Sequence, residues 1–258
     1  MLLGLMLVLS VYTEASAGQD NIMKQLVPTG KLRVGVAYAP APTPLFVAKD
    51  AAGDVHGVPL DLGNALAKTL GVPVETVVVA TTGELTDACS SGAIDIGFMP
   101  ADDERRTRVD FSPPYFVIES TYLVAGSPAI QALADVDRRD VTVVGIAGST
   151  TMRAATRSLK SAKVVQAKSV EEAMGMMRAG TAQAFALTHD ALPTLQNQLP
   201  GSRILDGAFQ ATGVAIAVHK DRPAALAYVT DFVESAKANG TVRRAFDDAG
   251  LNGLSVAP

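Results

Sequence analysis

Arg105 is the residue whose type and position most directly indicate ligand-binding chemistry. An apolar run over Ile94–Phe98 ends at Pro100, and Arg105 follows within a charged segment. The run predicts a buried strand that delivers this segment to its carboxyl end. Ligands of open α/β sheets bind beyond the carboxyl ends of the strands, where a guanidinium can hold a carboxylate through two hydrogen bonds. Met99, Pro100 and Asp102 are candidates for the same site.

The charged segment also has a purely structural explanation. Residues 102–108 contain three acidic residues and three arginines, a pattern typical of the solvent-exposed face of a short helix with its own ion pairs. On the residues alone, Arg105 is therefore either a carboxylate-binding group or a solvated surface charge.

A second candidate anion site lies at the start of a predicted helix. The strand predicted over Val141–Ile146 runs into Ala147 and then into GSTT at residues 148–151. A glycine and three hydroxyls at this place supply free backbone N–H groups, hydroxyl donors and the positive end of the helix dipole. Ordinary N-capping explains the same residues. The candidates for ligand contact are Ser149, Thr150 and Thr151.

A third polar group follows a strand predicted over Ala182–Thr188. Thr188 ends this strand, and Asp190 comes two residues later. The carboxylate either pairs with a cationic group of a ligand or caps a helix that begins at Ala191. Both alternatives remain open from the residues alone.

The elements that must position these residues alternate between strand and helix. Strands are predicted over residues 32–38, 74–79, 94–98, 141–146, 182–188 and 214–218, and helices over residues 60–70, 83–91 and 223–237. Crossing segments are predicted over Ser120–Ala125 and Gly207–Gly213. Strands separated by helices of this length imply βαβ units and a mostly parallel sheet.

The composition excludes several function classes. The 258 residues carry a net charge of −4 without a basic stripe, which argues against a nucleic-acid partner. Trp is absent and aromatic residues make up only 5%, too few for a base- or sugar-stacking platform. The single cysteine, Cys89, is expected in the core, and the three histidines lack metal-ligand spacing. We expect neither a metal nor a cofactor.

The amino terminus has the pattern of a secretory signal peptide over residues 1–17. Residues 1–9 are almost wholly apolar, and Ala15–Ala17 form an A-x-A cleavage signal. The mature chain is then expected to begin near Gly18. No Lys or Arg precedes the apolar run, so a retained apolar helix is the alternative.

The segment 92–115 resembles the signature of the bacterial extracellular solute-binding proteins, family 3, which are periplasmic polar amino-acid binding proteins of ABC importers. In that signature a strand, a Thr-x-x-Arg turn and a Phe-Ser-x-Pro-Tyr segment follow one another, and this chain reads GAIDIGFMPADDERRTRVDFSPPY. Residues 49–66, KDAAGDVHGVPLDLGNAL, match the family pattern K-D-x-x-G-x-x-x-G-x-x-x-D-L-x-x-x-L. The resemblance covers almost the whole chain after Gly30.

The resemblance implies an α/β fold of the periplasmic binding protein-like type II. Two α/β lobes are joined by two crossing strands, and the ligand lies in the cleft between them. Lobe 1 would comprise residues 18–118 and 214–258, and lobe 2 would comprise residues 119–213 including the hinge crossings. Hinge closure would then remove the ligand from water.

The resemblance also implies roles for individual residues. Arg105 falls on the family's carboxylate-binding arginine, and Thr150 falls on the group that binds the same carboxylate from the second lobe. Phe46 matches the Pro-Phe of the family and would supply an aromatic wall.

The chain departs from the family pattern at three positions. The threonine three residues before the arginine is here Asp102, the aromatic residue that stacks on the ligand is Thr82, and the aspartate that pairs with the ligand ammonium is Thr188. Asp190 is a candidate replacement for that aspartate. We therefore expect the pocket to suit a small polar amino acid or a small carboxylate that lacks an ammonium group.

The function implied by the resemblance is that of an extracytoplasmic solute-binding component of an ABC importer. Such a protein is periplasmic, monomeric and not an enzyme, and its partners are a small-molecule ligand and a membrane ABC permease. An enzyme on the same scaffold is the alternative, because cyclohexadienyl dehydratases resemble these binding proteins and need a general acid in the cleft. Asp102, His189 and Asp190 are the candidates for that acid.

Overall fold

A computed structural model describes residues 18–38, 43–126 and 129–258. The predicted signal peptide over residues 1–17 lies outside the described residues. Within them, ten strands form one sheet and two further short strands form a separate hairpin. The predicted alternation of strands and helices is confirmed.

The strands are β1 (Leu32–Ala37), β2 (Ala48–Lys49), β3 (Val55–His56), β4 (Val74–Val79), β5 (Ile96–Pro100), β6 (Val109–Phe111), β7 (Phe116–Val124), β8 (Thr142–Ile146), β9 (Lys163–Ala167), β10 (Ala184–Thr188), β11 (Arg203–Ile204) and β12 (Gln210–His219). The helices are α1 (residues 18–26), α2 (Val58–Leu70), α3 (Thr82–Ser90), α4 (Asp103–Arg106), α5 (Thr150–Ser158), α6 (Val170–Arg178), α7 (Leu192–Gln196), α8 (Pro223–Ala238) and α9 (Thr241–Asp248), with a 3₁₀ turn at Leu133–Val136.

The first half of the sheet has a parallel centre. β1 lies between β4 and β5 and pairs in parallel with both. Val34 and Val36 belong to one core together with residues of α2, while Ala37 on the opposite side belongs to a second core with Leu85 and Cys89 of α3. Because parallel strands end at the same edge of a sheet, β4 and β5 deliver the start of α3 and the segment after Pro100 to one place.

The second half repeats this arrangement. β8 lies between β9 and β10 and pairs in parallel with both. The core on one side includes Val144 and Phe185 with residues of α6 and α7, and the core on the other side includes Val143 and Ala155 of α5. The carboxyl ends of β8 and β10 therefore present the start of α5 and Thr188 at a common edge.

The strands β7 and β12 join the two halves. They pair antiparallel from Phe116 opposite Val214 to Ser120 opposite Gln210, and then β12 continues along β5 while β7 continues along β10. Phe116 belongs to the core of the first half, whereas Tyr122 on the same strand belongs to a core of the second half. The two strands join the halves over Phe116–Ser120 and Gln210–Val214, whereas the crossing segments were predicted over Ser120–Ala125 and Gly207–Gly213. We keep the names lobe 1 and lobe 2 for the two halves, and their boundaries at 118/119 and 213/214 remain a prediction.

The strand that precedes Arg105 is shifted from its predicted position. β5 begins at Ile96 instead of Ile94, since the Ile94 N–H donates to the carbonyl of Ala88 at the end of α3 at 3.2 Å. Ile94 is buried all the same, so its apolar character marked the core and not the strand. The shift places Pro100 at the end of β5, opposite Val214.

A close backbone approach fixes the loop that carries Phe46. Gly57 has φ 147°, and a Cβ atom built on it would lie 2.4 Å from the carbonyl oxygen of Phe46. The Val58 N–H also donates to the carbonyl of Pro44 at 2.9 Å. Gly57 therefore has a structural role, since it lets the backbone pass close to Phe46 and holds this residue against lobe 1.

Cys89 is fully buried, as predicted, and burial raises the pKa of its thiol to about 12. Within the described residues no helix is both long enough and apolar enough to cross a membrane.

Candidate ligand-binding cleft

Seven of the eleven predicted site residues meet where the two lobes face each other, whereas Arg105, Met99, Asp102 and Asp190 do not line the cavity there. This cavity between the lobes has a volume of about 20 Å³, enough for one or two water molecules. A ligand of more than a few atoms would therefore have to hold the lobes further apart than they are here. The residues that line the cavity are Phe46, Thr81, Thr82, Pro100, Ile146, Ala147, Ser149, Thr150, Thr151 and Thr188.

The start of α3 reaches the cavity because Thr81 caps the helix. The Thr81 hydroxyl accepts from the N–H of Glu84 at 3.2 Å, and the Glu84 carboxylate accepts from the N–H of Ala80 at 3.1 Å. Thr82 then occupies the first helical position and is buried. The T-x-x-E pattern at residues 81–84 is a capping signature that could have identified Thr81 from the sequence.

The start of α5 reaches the cavity from lobe 2. The Ser149 hydroxyl accepts from the N–H of Met152 at 3.1 Å and donates to the carbonyl of Ile146 at 2.8 Å. Ser149 is therefore a capping residue that also borders the cavity. Thr151 shares a hydrogen bond of 2.9 Å with Ser120 on β7, while Thr150 is buried at the first helical position.

Arg105 is buried, with 1% of its surface exposed. It lies on the short helix α4, so the prediction of a short helix is confirmed for the backbone. The prediction of a solvent-exposed side chain is wrong for Arg105, whereas the neighbouring Arg106 is exposed. Its Nη1 donates to the carbonyl of Pro100 at 2.7 Å. Its Nη2 donates to the Thr82 hydroxyl at 2.8 Å and, across the cleft, to the carbonyl of Gly148 at 3.1 Å.

The guanidinium of Arg105 is a buried cation whose hydrogen-bond partners are all uncharged. Burial, and next the charge of Arg153, lowers its pKa to about 10, while Asp102 and Glu104 act in the opposite direction. The group is still protonated at neutral pH. Since a buried charge without an opposite charge is costly, this site is suited to an anion.

Arg153 on α5 forms ion pairs across the rim of the cleft. Its Nη2 lies 2.5 Å and its Nε 2.7 Å from Asp102 Oδ2, and its Nη1 lies 3.0 Å from Glu104 Oε2. Asp102 also caps α4, because its Oδ1 accepts from the N–H of Arg105 at 3.0 Å. Asp102 therefore lies at the rim of the cleft, where it binds Arg153 of lobe 2. It does not line the cavity. Sequence reasoning missed Arg153, whose partners are distant in the chain.

Thr188 and Asp190 are close to each other but line different cavities. Thr188 lines the cavity, whereas Asp190 lines a larger cavity of about 440 Å³ beside the hinge strands. Asp190 Oδ2 accepts from the Thr43 hydroxyl of lobe 1 at 3.3 Å. The capping alternative for Asp190 is wrong, because α7 begins at Leu192 after Ala191 and has no side-chain cap.

Burial raises the pKa of the Asp190 carboxyl above its usual value of 3.8. The nearby Thr188 hydroxyl lowers this pKa, although it makes no hydrogen bond of regular geometry with the described residues. Asp190 Oδ1 is also buried without a hydrogen-bond partner among these residues.

The remaining predicted residues differ in their distance from the cavity. Phe46 and Pro100 line it. Met99 does not, since it is fully buried in the core with Leu85, and its sulfur accepts from the Thr86 hydroxyl at 3.3 Å. Ile146 and Ala147 line the cavity and were not among the predicted residues.

Residues 32–249 match the bacterial extracellular solute-binding proteins, family 3. The chain belongs to this family. The glutamine-binding protein of Geobacillus stearothermophilus is 29% identical over 214 residues, which cover 81% of this chain and 80% of that protein. The ABC transporter glutamine-binding protein of Bacillus subtilis is 23% identical over 203 residues, which cover 77% of this chain and 74% of that protein.

The crystal structure of an ancestral amino acid-binding protein, a precursor of cyclohexadienyl dehydratase, is 31% identical to this family 3 chain and superposes with a TM-score of 0.71. The match covers 89% of this chain and 98% of that one. The predicted type II fold of two α/β lobes is confirmed. The neighbour related to the dehydratases is itself a binding protein.

Proposed function

We propose that this family 3 solute-binding protein is the extracytoplasmic receptor of an ABC importer, and that it closes around a small polar amino acid or a related small carboxylate. The observation that carries the proposal is the buried guanidinium of Arg105, which has only uncharged partners and donates to both sides of the cleft. A ligand carboxylate at this place supplies the missing opposite charge.

Arg105 from lobe 1 and Thr150 from lobe 2 together hold the ligand carboxylate. Each interaction then favours the closed state, because an open cleft would separate the two groups. Ser149, Thr151 and Thr82 add polar contacts, and Pro100 offers a carbonyl. Phe46 covers the apolar part of the ligand, while Met99 packs behind this layer.

The names of the relatives support the transport role. Both glutamine-binding proteins and the ancestral protein bind amino acids, and one of the relatives is a component of an ABC transporter. We propose a periplasmic location, a monomeric state and a membrane permease as the partner. Export predicts a mature chain that starts near Gly18, and a periplasmic protein whose intact mass includes residues 1–17 would contradict this.

The proposed function is tested by adding ligands to the purified, unliganded protein. The standard amino acids and matched small carboxylic acids are screened by thermal shift, and the hits are measured by calorimetry. Small-angle scattering should show a more compact protein with the hit than without it. The absence of any hit in both compound classes would refute the proposal.

We also propose that the protein is not an enzyme. Incubation with prephenate and arogenate should leave both compounds unchanged, and turnover of either one would favour the dehydratase alternative. Asp190, whose pKa is raised by burial, would then be the first residue to replace.

A further inference from the structure

Thr188 carries a polar atom that faces the cavity without a partner. The side chain is 4% exposed, it lines the cavity at the end of β10, and its Oγ1 makes no regular hydrogen bond with the described residues. The carbonyl of Thr188 is already engaged by the N–H of Ala191 at 3.2 Å. Since buried hydroxyls in proteins are normally hydrogen-bonded, this one is available to a ligand.

The carboxylate nearest to Thr188 is that of Asp190, which does not line this cavity. Asp190 Oδ2 accepts from Thr43 across the cleft, and the side chain borders the hinge-side cavity with Glu119 and His189. Burial favours the uncharged form of Asp190. Because Thr188 lines this end of the cavity and Asp190 does not, the group that meets a ligand there is a neutral hydroxyl.

The other acids around the cleft are engaged by groups of the protein. Asp102 and Glu104 pair with Arg153 at the rim, and the carboxylate of Glu84 accepts from the backbone of Ala80. The four residues 39–42, outside the described part, have the sequence APAP and contribute no charge. The cavity itself is lined by hydroxyls from α3, α5 and β10. The cation next to this lining is Arg105, which donates to the Thr82 hydroxyl and to the carbonyl of Pro100.

A ligand that complements this arrangement carries one carboxylate and an uncharged polar substituent. Thr188 can donate to a carbonyl oxygen or both donate to and accept from a hydroxyl. A buried ammonium at the same place would need a carboxylate in contact with it. We propose that Thr188 sets the ligand class, and that the ligand is a small 2-hydroxy or 2-oxo acid whose carboxylate binds Arg105. This inference rests on the proposed function and narrows it.

The test compares matched compounds. Each standard amino acid is titrated beside the 2-hydroxy acid and the 2-oxo acid with the same side chain, for example alanine, lactate and pyruvate, using the unliganded protein and calorimetry. We expect a hydroxy or oxo acid to bind at least about 10-fold more tightly than its amino acid. Thr188→Val should weaken that binding by about 10-fold to 100-fold, and Thr188→Ser should keep most of it.

Thr188→Asp provides the complementary test, because a carboxylate at this position should shift the preference toward the amino acid of the same set. Asp190→Asn should leave the wild-type preference unchanged. Circular dichroism is used to check that each variant is folded. If Thr188→Val does not fold, the Thr188→Ser and Thr188→Asp variants still test the role of the hydroxyl.

The outcomes separate this inference from the proposed function. Amino acids that bind more tightly than their hydroxy and oxo counterparts would overturn the inference and leave the transport receptor intact. A preference for amino acids that disappears in Asp190→Asn would assign the ammonium contact to Asp190. If no compound of any set binds, the proposed function fails and the inference fails with it.

Discussion

Arg33 and Arg105 lie at opposite ends of the lobe 1 sheet, and they differ in their partners. Arg33 at the amino end holds the buried Asp95 through Nη2–Oδ1 at 2.6 Å and Nε–Oδ2 at 3.1 Å, and its backbone N–H donates to the same carboxylate at 2.8 Å. Arg105 at the carboxyl end has only uncharged acceptors.

The pKa values of the two arginines move in opposite directions for this reason. The hydrogen bond with Asp95 raises the pKa of Arg33, whereas burial lowers the pKa of Arg105 to about 10. An arginine whose charge is balanced by its own protein serves the fold, and an arginine whose charge is left unbalanced in a cleft can serve a ligand. The following changes test that distinction.

The largest effect is expected from Arg105→Ala, which should weaken ligand binding by about 2 to 5 kcal/mol because the ligand carboxylate loses its charged partner. Arg105→Lys should recover little of this, since an ammonium cannot form the two parallel hydrogen bonds. Calorimetry with the tightest ligand of the screen measures both. Arg106→Ala, on the exposed side of α4, is the matched control, and an unchanged affinity in Arg105→Ala would remove Arg105 from the site.

Asp95→Ala should reduce the free energy of unfolding by about 3 kcal/mol, because it leaves Arg33 without its ion-pair partner. This value is near the lower end of the range for broken buried ion pairs, since Arg33 keeps some contact with water. Urea denaturation measures this. Asp87→Ala breaks the exposed pair with Arg108 and should cost at most about 1 kcal/mol. Equal losses in the two variants would show that the Asp95 pair has no special structural role.

Arg153→Ala should weaken ligand binding by about 1 kcal/mol, because it removes the ion pairs that favour the closed cleft. The affinity of the variant should also depend less on salt than that of the wild type. Arg157→Ala on the exposed side of α5 is the control. A salt dependence equal to that of the wild type would mean that the rim pairs do not contribute to closure.

The smallest effect concerns Asp190, whose pKa is raised by burial. The folded state then binds the proton of this carboxyl more tightly than the unfolded state does. The free energy of unfolding of the wild type should therefore decrease as the pH rises from about 4 through the folded-state pKa of Asp190. Asp190→Asn should remove this loss, and its stability relative to wild type should increase with pH in urea titrations.

Asp137 provides a control of opposite sign. Three backbone N–H groups, those of Ala162, Ser161 and Lys160, lower its pKa, so its stabilising contribution is present at neutral pH and is lost on acidification. Asp137→Asn should therefore be less stable than the wild type at neutral pH and approach it in acid. If the stability of Asp190→Asn and that of Asp137→Asn changed with pH in the same way relative to the wild type, the causes given for the two pKa shifts would be wrong.

The sequence alone determined the class of the fold and the identity of the main candidates. Local periodicity marks strands and helices, so β1 and β4 were predicted within one residue, and the segment 148–151 was recognised as a helix start. The order of a strand, a charged turn and a proline-rich stop is local information and pointed to Arg105. The resemblance to the family pointed to Thr150 at its helix start.

Tertiary structure decided which charges are paired. Arg153 and Asp102 are 51 residues apart, and Thr43 and Asp190 are 147 residues apart, so no local pattern indicates these contacts. The same limit applies to burial, because Arg105 and Arg106 are adjacent in the chain. Only the folded chain brings Pro100, Thr82 and Gly148 to the Arg105 side chain and makes it a buried cation. A charged side chain takes its role from the opposite charge that the fold places beside it, and that partner is chosen by the folded chain as a whole.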